Sequence, residues 1–124
     1  MGLDMYAFTT NFKPKTPVDF RIADDVATKE LYYWRKHPNL HGWMEQLYRS
    51  KGGVNSDFNG DTVTLTLADL DALEAAVREN QLPETTGFFF GESRPEERDG
   101  DFEFIDKARA AIVQGLTVYY DSWW

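Results

Sequence analysis

Three short aromatic runs constrain this chain more than any other feature: Tyr32-Tyr33-Trp34, Phe88-Phe89-Phe90, and Tyr119-Tyr120 with Trp123-Trp124. They carry more than half of its nine phenylalanines, six tyrosines and four tryptophans. Large rings favour strands, so the runs predict neighbouring strands that build one aromatic surface. A terminus reading Tyr119-Tyr120-Asp121-Ser122-Trp123-Trp124 is expected to be tied into the structure, because that much free aromatic surface is sticky. On a strand, Phe88 and Phe90 point one way and Phe89 the other. Either both faces of the sheet are covered, or one meets a ligand or a second copy in a homodimer.

The 124 residues, 42% apolar, predict one domain spanning residues 1–124 with a modest core. No apolar run approaches the roughly 20 residues that span a bilayer. The N-terminus has no basic segment followed by an apolar stretch, so a cytoplasmic location is expected. The lack of cysteine excludes disulfides, thiolate metal sites and a thiol nucleophile. A net charge of -8 argues against direct nucleic-acid binding. The charge is uneven: residues 1–51 carry eight basic against six acidic side chains, and residues 52–124 carry five against fifteen. That asymmetry reads as a solvated acidic surface, or as an acidic mimic facing a DNA-binding protein.

Along the chain, residues 2–10 read as a strand, 11–28 as a proline-punctuated loop, and 31–36 as a second strand, for which a helix competes. Pro38 opens a helix whose Leu40, Trp43, Met44, Leu47 and Tyr48 form an amphipathic stripe ended by Gly52-Gly53. Residues 62–65 are a third strand. Thr66 fits a helix cap with Asp69 three residues on, and that helix runs to about Asn80. Residues 87–91 read as a fourth strand and 92–100 as a charged loop. Asp99 or Asp101 caps a third helix ending at Gly115, and residues 117–124 form the last strand. The expected fold is a single α+β domain: a mixed or antiparallel sheet of about five strands with about three helices.

The opening Met1-Gly2-Leu3-Asp4-Met5-Tyr6, then Tyr33-Trp34-Arg35-Lys36 with His41 and Trp43, residues 87–91, and the closing Tyr120-Asp121-Ser122-Trp123-Trp124 resemble a family of small proteins of bacteria, prophages and phages. The resemblance spans nearly the whole chain. It implies a phage or prophage setting and carries over no activity. Members are sometimes labelled phosphoglycerate kinase, but this chain is too short for that two-domain enzyme and has no phosphate-binding glycine loop.

The candidate binding residues are Tyr33, Trp34, Arg35, Lys36, His41, Tyr119, Asp121 and Trp123. A cation beside a ring can stack on it or hold an anion against it, so the expected ligand is small and anionic or planar, or a host protein. The structural alternative has Arg35 paired with Asp4 or Asp121. His37 and His41 have the i, i+4 spacing of metal ligands but lack a third partner. Asp121, Ser122 and His41 have the ingredients of a triad, yet adjacent strand residues face opposite ways. Asp57-Phe58-Asn59-Gly60-Asp61 begins like a calcium loop but lacks its closing glutamate, and a polar turn accounts for it better. The leading expectation is a binding or modulator protein without cofactor; a small enzyme using His41 is the alternative.

Overall fold

The computed structural model describes residues 2–87 and 90–124. Its elements are β1 (Asp4–Thr10), β2 (Thr28–Arg35), α1 (Pro38–Ser50), β3 (Val63–Leu65), α2 (Leu67–Arg78), α3 (Glu97–Val113) and β4 (Thr117–Trp123). The four strands pair in the order β2-β1-β4-β3, every pair antiparallel. This is an α+β domain, with an antiparallel sheet rather than a mixed one. Among the described residues no helix is long and apolar enough to cross a membrane.

Alternation along the strands sorts the side chains between two faces. Met5 of β1 lies opposite Trp34 and Ser122, and Ala7 lies opposite Tyr32 and Tyr120. These face the helices, where Trp34 meets Phe104 of α3 edge-on at 4.8 Å and Tyr120 meets His41 of α1. Tyr48, Phe58, Phe104 and Tyr120 are fully enclosed there. Burying a ring of that size contributes about 2–3 kcal/mol. Among the described residues no helix packs on the other face.

Local chemistry explains most boundaries. Thr66 accepts from the Asp69 amide at 3.1 Å, and the Asp69 carboxylate accepts from the Thr66 amide at 2.9 Å; this is the expected capping box. Pro38 stands in the first turn of α1. Gly42 on α1 is required by close approach, since a Cβ there would overlap the Thr85 side chain. Gly115 has φ of 89° and closes α3 as expected.

The structure differs from the sequence expectation at three places. β2 starts at Thr28, not 31, because a bulge between Ala7 and Phe8 lets pairing continue to Thr10. α3 starts at Glu97, so neither Asp99 nor Asp101 caps it; Asp101 sits on its buried stripe with Phe104, Ile105 and Ala108. Of the expected fourth strand, Phe88 and Phe89 lie outside the described residues, while Gly87, Phe90 and Gly91 are not in a strand. The Phe90 amide donates to the Gly87 carbonyl at 3.1 Å, and the buried Phe90 ring meets Trp124 edge-on at 5.0 Å. Gly91, at φ 74°, has a backbone conformation that suits glycine. The described sheet therefore has four strands rather than about five.

Candidate functional site

The sheet face that no helix covers carries a continuous row of rings. Tyr33 stacks toward Tyr6 at 5.2 Å and Tyr6 toward Phe8 at 5.7 Å. Phe8 then meets Tyr119 at 5.4 Å, and Phe20 from the 11–27 connection meets Tyr119 edge-on at 5.4 Å. Pairing register produces this row: Tyr33, Tyr6 and Asp121 lie opposite one another across β2, β1 and β4, as do Arg35, Asp4 and Trp123. Tyr33, at one end of the row, is 43% exposed; Tyr119, near the other, is only 5% exposed; Trp123, 68% exposed, stands on the same face opposite Asp4.

The polar groups at this face are partly engaged. Arg35 donates to Asp4 at 3.0 Å, and the Tyr33 hydroxyl donates to the same carboxylate oxygen at 2.6 Å. That hydrogen bond to Asp4 raises the Tyr33 phenol above its ordinary pKa. Burial raises the Asp121 carboxyl, and the Ser122 amide, which donates to it at 2.8 Å, works the other way. Beside Tyr119, a polar cleft of about 610 Å³ is lined by Asp19, Asp61 and Asp121, with Arg21 and Phe20. Its walls are rings and carboxylates.

Of the eight residues singled out in the sequence, Tyr33, Arg35, Asp121 and Trp123 thus share the open face, with Tyr119 on the same side but buried beneath Phe8 and Phe20. Trp34 and His41 do not. Trp34 is in the core, its indole N–H donating to Asp101 at 3.2 Å. His41 is 1% exposed, lies 2.6 Å from the Tyr120 hydroxyl through Nδ1, and is pushed down to about 4 by burial. It is neutral above that pH. Lys36 bends out of the strand at φ 57° and packs its stem beside Gly91. The terminal tryptophans also divide: Trp124 is fastened to Phe58 and Asn59 by hydrogen bonds, while Trp123 projects outward.

A second polar group was not legible as a site. His37, 2% exposed at the start of α1, lies between Ser93 and Asp101: Nδ1 is 2.6 Å from Ser93 Oγ and Nε2 is 2.9 Å from Asp101 Oδ2. The Asn39 amide donates to Ser93 Oγ at 3.0 Å, and the Thr85 amide donates to Asn39 Oδ1 at 3.0 Å. The two histidines therefore turn apart and share no ligand. Asp101 had one available signal: a carboxylate at i, with Phe104, Ile105 and Ala108 at i+3, i+4 and i+7, stands on an apolar stripe where it needs a buried partner. Ser93 had none, because its place beside His37 depends on how the 82–96 connection folds back. The Asp57–Asp61 segment is a polar turn, Asp61 accepting from Asn55 and Asn59.

No protein-family profile matches the chain, and no curated protein and no solved structure is significantly similar to it.

Proposed function

We propose that the protein is a binding module whose uncovered sheet face holds a planar or cationic group of a ligand or partner protein. The row of rings from Tyr33 to Phe20, open at Tyr33 and with exposed Trp123 on the same face, carries this reading. Rings offer stacking to any planar group and cation–π attraction to a guanidinium or ammonium. The nearby Asp61 and Asp121 favour a cation over an anion, and Arg35 already has Asp4 as counter-ion. The resemblance to phage and prophage proteins suits a modulator of host proteins or a sequestrant of a nucleotide signal.

Acidic mimicry has less support. Asp69, Asp71, Glu74 and Glu103 form ion pairs with Lys51, Arg109 and Lys107, so these carboxylates are partly neutralised.

Calorimetric titration with nucleotides, signalling dinucleotides and an arginine-rich peptide tests the proposal. Heat that disappears in Trp123→Ser and Tyr33→Ser supports it. Uniform absence of heat, or binding untouched by both substitutions, contradicts it.

A further inference from the structure

The Ser93, His37 and Asp101 group lies at the wall of a second cleft, of about 460 Å³, between the start of α1, the end of α2 and the start of α3. It stands on the helix side of the sheet, apart from the open aromatic face. Asp101 accepts the Trp34 indole N–H at one oxygen and meets His37 Nε2 at the other. With the carboxylate as acceptor, Nε2 carries the imidazole proton and Nδ1 is left to accept from Ser93 Oγ–H. The hydroxyl is thus polarised by a histidine whose tautomer is fixed by a buried acid, which is the division of labour of a hydrolytic triad. Ser93 Oγ also faces the positive end of the α1 dipole through the Asn39 amide, and that end favours negative charge on oxygen.

Two guanidinium groups, Arg94 and Arg98, line the same cleft. Arg98 donates to the Arg78 carbonyl at 3.0 Å, and among the described residues neither arginine has a carboxylate partner. Glu97 at the wall offsets part of their charge. Leu82 and Val77 supply an apolar floor. A small acyl group bearing a carboxylate or phosphate fits this combination.

We propose that Ser93 and His37 are catalytic residues, and Asp101 a positioning residue, for hydrolysis of small anionic esters. Ser93 Oγ adds to the ester carbonyl carbon while its proton passes to His37 Nδ1. The bond from that carbon to the alcohol oxygen breaks, and the alcohol leaves with the proton. Water then adds to the acyl-serine as its proton passes to His37. The acyl–Oγ bond breaks, Ser93 regains the proton, and the acid departs. Asp101 stabilises the imidazolium at both steps.

The test is a fluorophosphonate probe on the whole chain, read by intact mass and peptide mapping, with 4-nitrophenyl esters with and without a terminal carboxylate as substrates. The expected result is one phosphonyl adduct on Ser93, absent in Ser93→Ala and about 100-fold slower in His37→Gln. The carboxylated ester is expected to turn over preferentially. Arg94→Gln, a change at an exposed side chain, raises its KM about five-fold with kcat unchanged. Asp101→Asn lowers kcat and leaves KM alone. Circular dichroism checks that each variant is folded. A folded wild-type chain that takes no label, or a label that persists in Ser93→Ala, overturns the nucleophile and leaves the network as an anchor for the 82–96 connection. Labelling of Ser93 without preference for the anionic ester overturns the substrate class.

Discussion

The two faces of the sheet are built from the same residue types and have opposite fates. On one, Met5, Ala7, Trp34, Val118 and Tyr120 are closed by three helices; on the other, Tyr6, Phe8, Tyr33 and Trp123 keep contact with water. Rings within one sheet thus serve both as core and as surface, one residue apart along β2. What decides is the company across the sheet: Trp34 meets Phe104, while Tyr33 meets Tyr6 and the Asp4 carboxylate. Aromatic content alone therefore does not identify a core, because strand phase decides which rings a helix can cover.

The comparison breaks most forcefully on the closed face. Phe104→Ala removes a fully enclosed ring packed on Trp34 and is expected to cost about 4 kcal/mol, measured by urea unfolding. Next is the pH dependence of His41. Its folded value of about 4 lies below the ordinary 6.5, so the unfolded chain takes up the proton first as pH falls. Stability present above pH 6.5 is lost between there and pH 4, by about 3 kcal/mol. Asp121 works the other way, because its raised carboxyl holds a proton more readily when folded. Melting curves of the wild type and His41→Gln across that window isolate the histidine, and a profile the substitution leaves unchanged would remove it as the cause. Gly42→Ala, whose new methyl meets Thr85, is expected to cost about 2 kcal/mol. On the open face, Trp123→Ser should change stability by less than about 0.5 kcal/mol.

The helices and most strands were legible because their signals are local: Pro38, the Thr66–Asp69 box and Gly115 each act within one turn. Tyr33 and Arg35 share one face of β2 and Trp34 the other, as strand alternation dictates. Which of those faces the helices would cover was not legible, because it depends on packing between segments far apart in sequence. The same limit hid Ser93, which meets His37 56 residues away. At Phe90 strand propensity did not decide, because the ring is held by an edge-on core contact with Trp124.

The most direct test of the binding face is two-dimensional NMR of the labelled protein during titration with planar aromatic and guanidinium fragments. Shift changes that concentrate on Tyr6, Phe8, Tyr33, Tyr119 and Trp123, and vanish in a Tyr33→Ser, Trp123→Ser double variant, are the predicted result. Changes that gather instead around His37 and Ser93, or that survive the double substitution, would contradict it.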